Sequence, residues 1–401
     1  MGLFCLCFCQ DVKAQLFGFQ LEQGKKYSSF PIEIHNQLVV IPVTLGGLIP
    51  LKMILDTGVR STILFDRSYT DILGAPYTRT ISITGIGQMR KVEALVAYNM
   101  SLDMPGIKGQ SQSMLVLAED YLELSKYLGI EVHGVLGYEV FNRFIVRIDY
   151  GKKILTLYDP RYFKTPRRFT RVDIDIIDTK PYLIAPLQFD DTTQIDARLL
   201  VDTGASHALL LHTEHDSLMY LPEKRIASKL GRGLTGEVEG HMARVKGLKL
   251  SHYKLDDVIA AFPDDIYYTD STSLDRHGVL GGEVLGKFTV IINYFSGTML
   301  LRKNYKFRKP FEYNMSGLEI MARGKNRNVY QVISVRQDSP ADRQQIERGD
   351  IIVGINGQEA SRLTLSNVFS IMNSKEGKKI RLVIRRGTTI TKKKFVLERE
   401  I

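Results

Sequence analysis

The 401-residue chain contains no tryptophan, and its three cysteines, Cys5, Cys7 and Cys9, all stand at the very start. If that opening stretch is removed, no thiol is left, which excludes disulfides, thiolate catalysis and cysteine-ligated zinc together. No apolar run reaches the roughly 18 residues of a spanning helix, so a polytopic membrane protein is excluded. A Gly-rich phosphate loop and a dinucleotide fingerprint are both missing, and no cofactor is expected. With 44% hydrophobic and 24% charged residues, the chain is neither disordered nor collagen-like. Its length calls for two or three domains.

Charge is unevenly spread. The net charge is +10, yet residues 302–401 alone hold 22 Lys and Arg against 10 Asp and Glu. Any acidic-surface partner belongs at that C-terminal quarter. Arg385-Arg386 and Lys392-Lys393-Lys394 carry no interleaved aromatics, so a nucleic-acid stacking surface is not expected. A solvated face is the plainer reading, with peripheral contact to an anionic membrane as the alternative. His212-Thr-Glu-His215 spaces its histidines three apart, not the four of a zinc-binding His-Glu-x-x-His helix, and no metal is expected.

The apolar opening Gly2–Cys9 is followed by Val12-Lys13-Ala14, which sets small residues three and one positions before a cut after Ala14. Residues 1–14 therefore read as a secretory signal peptide, and the expected location is periplasmic or extracellular, associated with the envelope. Bulky Cys7 and Phe8 argue against a lipid anchor on Cys9.

The rest of the chain repeats itself. Met53-Ile-Leu-Asp56-Thr57-Gly58 is matched by Leu199-Leu-Val-Asp202-Thr203-Gly204. Gly134-Val-Leu-Gly137 is matched by Gly278-Val-Leu-Gly281, and Phe144–Tyr150 by Phe288–Tyr294. Three blocks in one order and at like distances indicate a tandem duplication, with a period suited to a small lobe rather than a solenoid repeat. The expected units are 28–159 and 172–302, joined by the basic, proline-bearing stretch Pro160–Arg171, and a last unit at 313–401. Strands are expected at Leu38–Leu45 and Lys153–Tyr158, and a helix within Ala118–Leu128. The last unit should hold a strand at Tyr330–Val335, a helix at Leu363–Met372 and a hairpin at Ile380–Leu397.

An aspartate at the end of an apolar strand, followed by Thr and Gly, places a carboxylate where the backbone turns sharply. Two copies related by a pseudo-twofold axis would bring Asp56 and Asp202 face to face. Carboxylates about 3 Å apart cannot both ionise readily, so they share a proton. One can then take a proton from water while the other polarises a carbonyl.

On these motifs, residues 38–302 resemble the retropepsin-like and pepsin-like aspartic proteases in their single-chain, two-lobed bacterial form. The resemblance implies a mainly β fold: two tandem retropepsin-like β-barrel lobes about a pseudo-twofold axis. It implies catalytic Asp56 and Asp202, braced by Thr57, Gly58, Thr203, Gly204 and Ser206, acting on a peptide or protein substrate. It also implies a flap over each lobe, with candidates Ile83, Thr84 and Gly85 in one and Thr235 and Gly236 in the other. The sequence departs from the family at Val59-Arg60, where a small residue and a hydroxyl are usual. Arg60 either lowers the pKa of Asp56 or points outward, with Ser61 supplying the hydroxyl. His207, close behind the second motif, is expected to pack near the site rather than act.

The last unit resembles a PDZ domain, a small β-barrel. Its carboxylate-binding loop would be Ser316, Gly317, Leu318, Glu319 and Ile320, taking a C-terminal or internal peptide by strand addition. Two functions stand at this point: an aspartic endopeptidase with a peptide-binding PDZ domain, and a peptide-binding protein whose protease lobes have lost activity.

Overall fold

The computed structural model describes residues 18–83, 92–233, 236–264 and 276–401, so residues 1–14 lie outside it. The architecture is mainly β, in several sheets. Among the described residues no helix is long and apolar enough to cross a membrane.

Two large sheets share one strand order, the first adding the short Leu102–Asp103 beside Leu38–Leu45. The first runs in the order Glu33–His35, Leu38–Leu45, Ile49–Leu55, Gly134–Leu136, Ile63–Leu64, Gln112–Leu117, Val92–Met100, Tyr77–Ile83. The second runs Asp175–Ile177, Lys180–Gln188, Gln194–Val201, Gly278–Leu280, Leu209–Leu211, Tyr253–Pro263, Gly236–Leu250, Arg225–Gly233. In both, the short Gly-Val-Leu strand slots in parallel beside the strand that leads into Asp-Thr-Gly. Both leading strands end in a buried apolar triplet, Met53-Ile-Leu55 and Leu199-Leu-Val201, as strands covered on two faces must.

The two halves are not separate bodies. A third sheet joins them, three strands from each, in the order Thr170–Asp173, Thr298–Lys303, Phe288–Asn293, Ile145–Asp149, Ile154–Tyr158, Tyr27–Pro31. Its central pair, Ile145–Asp149 against Phe288–Asn293, consists of the repeated Phe144 and Phe288 blocks. The first half also starts before residue 28, because Gly18–Leu21 pairs with Ile107–Gln110. The helix expected within Ala118–Leu128 is Leu124–Leu128, and Glu123 just before it takes a left-handed φ of 50°.

The last unit has its own core, built on Leu318, Ile320, Ala322, Tyr330, Val332, Ile352, Leu365, Val368 and Ile384. The expected elements appear as Val329–Val335, Leu365–Met372 and the hairpin Lys379–Arg386 with Thr389–Val396. Thr364 caps the helix through a reciprocal pair of bonds with Asn367. Phe311 and Ile401 are buried in the core of the two halves rather than in this one, and each anchors the unit with about 1.5–3 kcal/mol of apolar burial.

Candidate active site

Each Asp-Thr-Gly loop begins where its leading strand runs out. The backbone N–H of Asp56 donates to the Leu136 carbonyl at 3.0 Å, and that of Asp202 to the Leu280 carbonyl at 2.9 Å. The Gly-Val-Leu-Gly strands therefore fix where each aspartate starts its turn. The same strands are pinned one residue earlier by histidine. His133 Nδ1 accepts the Lys52 N–H at 3.0 Å, and His277 Nδ1 accepts the Arg198 N–H at 2.9 Å. These histidines repeat in the sequence immediately before each Gly-Val-Leu-Gly block, and reading from the glycine onward passes over them.

The two loops are knitted together by their threonines. Thr57 Oγ1 donates to the Val201 carbonyl at 2.6 Å and accepts the Thr203 N–H at 3.1 Å. Thr203 Oγ1 donates to the Leu55 carbonyl at 2.8 Å and accepts the Thr57 N–H at 3.1 Å. Both side chains are buried, so four polar groups that would otherwise be stranded are satisfied in two reciprocal pairs.

This lattice brings Asp56 and Asp202 into hydrogen-bond contact. Each carboxylate also accepts a short bond from its own loop: Gly58 N–H to Asp56 Oδ1 at 2.6 Å, Gly204 N–H to Asp202 Oδ1 at 2.7 Å. The glycines are there for close approach. A Cβ on Gly204 would collide with Asp56 Oδ2 and stand 2.7 Å from Oδ1, while one on Gly58 would stand 2.8 Å from Asp202 Oδ2. Burial, and then the neighbouring Asp202 carboxylate, push Asp56 well above the usual carboxylate range. The Gly58 N–H and the Lys180 ammonium pull the other way and do not prevail. Lys180 holds the strand position that Leu38 holds in the first sheet, a difference between the halves that the motifs do not mark.

Two tyrosines sit near this pair. Tyr150 and Tyr294 end the repeated blocks of the shared sheet, and neither buried hydroxyl has a hydrogen-bond partner among the described residues. Burial raises both phenols, helped by Asp202 for Tyr150 and by Asp56 and Asp202 for Tyr294. The Tyr294 ring stacks on Phe141 at 5.6 Å between centroids.

The other residues singled out in the sequence fall as follows. Arg60 is exposed and forms no ion pair with Asp56, so its charge does not reach the dyad. The Ser206 and Ser61 hydroxyls are half-buried and bond to neither carboxylate. His207 packs against the strand Arg225–Gly233, where burial lowers its pKa and the Leu230 carbonyl offsets part of that. Ile83 closes the strand Tyr77–Ile83, and Gly236 faces Gly233 across the tip of the other hairpin. Thr84, Gly85 and Thr235 lie outside the described residues.

In the last unit, Gly317 takes a φ of 79° against Ser339, which a side chain would strike. Ser316 Oγ accepts the Leu318 N–H at 3.2 Å and donates to Asn314 at 3.0 Å, so the Leu318 amide of the expected carboxylate loop is already engaged. Leu318 and Ile320 point into the core, and Glu319 faces the strand Arg225–Gly233, where burial raises its pKa and the Lys229 charge offsets part of that.

Comparison with known families agrees with this geometry. The aspartyl protease family model matches residues 185–284, which contain Asp202 and the Gly278 block. The PDZ domain model matches residues 331–386. No curated protein matches the chain. The chain thus carries an aspartyl protease domain, of retropepsin-like type, followed by a C-terminal PDZ domain.

Proposed function

We propose that the protein is an aspartic endopeptidase with Asp56 and Asp202 as its catalytic pair. In this reading the two matched sheets are retropepsin-like barrel lobes about a pseudo-twofold axis, each giving one Asp-Thr-Gly loop. The observation that carries it is the reciprocal Thr57–Thr203 lattice, which holds two carboxyl groups in contact at a buried seam.

Asp56, whose pKa burial and its neighbour raise, is assigned the shared proton, and Asp202 is assigned the part of the base. Asp202 takes a proton from a water between them, and that water's oxygen attacks the scissile carbonyl carbon. Asp56 gives its proton to the carbonyl oxygen, so a neutral tetrahedral diol forms without a covalent enzyme intermediate. Collapse returns the diol proton to Asp56, and the nitrogen leaves with the proton that Asp202 had taken. Arg60, turned to solvent, leaves this proton count undisturbed. Thr57, Gly58, Thr203 and Gly204 position the pair, and the hairpins ending at Ile83 and Gly236 cover it as flaps. Ser206 belongs to the loop but makes no bond to the carboxylates.

Residues 1–14 are a signal peptide in this reading, so the mature enzyme works in the periplasm or outside the cell. Its PDZ domain takes a peptide or protein partner, and the basic C-terminal quarter offers peripheral contact with an anionic membrane. The test is cleavage of a denatured protein mixture from pH 3 to 8 by the chain lacking residues 1–14. Activity is expected to vanish in both Asp56→Asn and Asp202→Asn and to survive in Arg60→Ala. No cleavage at any pH would overturn the reading in favour of a peptide-binding protein.

A further inference from the structure

A PDZ groove lies between an edge strand and a helix, and here these are Leu318–Arg323 and Leu365–Met372. The strand ends its sheet and makes no backbone hydrogen bond on its outer side among the described residues. That edge is nevertheless covered. The helix Leu124–Leu128 of the first half packs on the strand Leu318–Arg323. The next residue, Gly129, sits on the first residue of the groove helix, where an added Cβ would stand 2.5 Å from Leu365 Cβ. One six-residue stretch thus touches both walls. Met321 points away from the PDZ core, as Glu319 and Arg323 do, yet is only 6% exposed.

The same contact reaches the hairpin over the second half. Tyr127 Oη donates to Glu237 Oε1 at 3.3 Å on the strand Gly236–Leu250. Glu319 lies within reach of the Lys229 charge on the strand Arg225–Gly233. A strand added to an edge needs a lane about 4.8 Å to the side, and a helix about 10 Å across cannot share it.

We propose that residues 124–129 are the resident occupant of the PDZ groove, so that an incoming extended peptide must displace them and in doing so frees the hairpin Arg225–Leu250. The inference rests on the PDZ groove being a peptide site and is independent of peptidase activity. A peptide that binds only the vacated groove shifts the chain toward the released state in proportion to that preference. Its apparent affinity is its affinity for the open groove multiplied by the fraction of chains already open.

The test uses the full chain with Cys5, Cys7 and Cys9 changed to Ser, and with Gly129→Cys and Leu365→Cys. A shift of about 1 Å opens the 2.5 Å approach to the roughly 3.5–4.5 Å between Cβ atoms of a disulfide. Mild oxidation is expected to join the two cysteines, read as a linked tryptic pair by mass spectrometry. No cross-link would overturn the occupancy. A millimolar octapeptide of Ser and Gly ending in Leu-Val with a free carboxylate is expected to slow cross-linking at least tenfold. An unchanged rate would overturn displacement, and with it the peptide-binding reading of the groove. Amide exchange supplies a second readout without a ligand. Gly129→Val is expected to speed exchange at least tenfold in 318–323 and in Arg225–Gly233, with Ile145–Asp149 unchanged as the control for folding. Acceleration in 124–129 alone would sink the coupling.

Discussion

Thr57 and Thr203 each donate a backbone N–H to the other's hydroxyl at 3.1 Å, so neither loop is complete without the other. Each threonine hydroxyl also donates to the strand that leads into the opposite aspartate. Thr57→Val keeps the shape and removes both bonds, leaving the Thr203 N–H and the Val201 carbonyl buried and unpaired. The expected cost is about 2–4 kcal/mol in denaturant unfolding. Thr57→Ser keeps the hydroxyl and should stay within about 1 kcal/mol of wild type. Equal stability of the Val and Ser variants would show that the lattice holds nothing.

Gly204 and Gly58 differ in how closely they approach the opposite carboxylate. A methyl group on Gly204 collides with Asp56, whereas one on Gly58 meets Asp202 at 2.8 Å, where a small shift relieves it. Displacing a reacting group by about 1 Å costs on the order of 100-fold in rate. Gly204→Ala should therefore lose at least that much activity, and Gly58→Ala distinctly less. The measurement is kcat/KM on one substrate for both variants, with Tm as the control for folding. The reverse order would contradict the geometry of the pair.

Asp56 supplies a pH test. Its folded pKa is raised by burial and by Asp202, so the folded state holds that proton more tightly than the unfolded chain does. The stability tied to the bound proton is complete below the unfolded value near 3.9 and is lost as pH rises through the folded value. Asp56→Asn removes the ionisation and should raise Tm at pH 7 by about 1 °C, the worth of ~1 kcal/mol in a protein this large. At pH 3 the gain should disappear. A gain that grows on acidification would mean that Asp56 is stabilised as the carboxylate.

The candidate pair was legible in the sequence because its determinants are local and doubled: apolar triplet, Asp-Thr-Gly, and a Gly-Val-Leu-Gly strand at like spacing. The strands Leu38–Leu45 and Ile154–Tyr158 and the helix Leu365–Met372 were legible from composition and periodicity. Pairing across the halves was not. Nothing in Tyr27–Pro31 or Thr170–Asp173 says that each flanks a sheet built from both copies, since a strand's partner is chosen by packing at long sequence separation. Contacts without a motif were equally silent. The exposure of Arg60, the seat of Gly129 on Leu365 and the charge of Lys180 near Asp56 depend on how finished units meet.

The paired histidines were in plain view, and they allow a prediction that separates structure from titration. His133 Nδ1 accepts the Lys52 N–H, which leaves the ring proton on Nε2. Burial lowers its pKa, so the folded state favours the neutral ring. The associated stability is present above the unfolded value near 6.5 and is lost as pH falls through the lower folded value. His133→Ala strands the Lys52 N–H and should cost about 1–3 kcal/mol at pH 7.5. His133→Asn sets a carbonyl oxygen near the place of Nδ1 and should recover most of that loss. It cannot be protonated there, so between pH 7 and 5 the Asn variant should lose less stability than wild type. Urea midpoints at the two pH values for the three proteins decide the matter. Parallel behaviour of wild type and the Asn variant would show that protonation of His133 has no part in acid destabilisation, whatever its bond to Lys52 contributes.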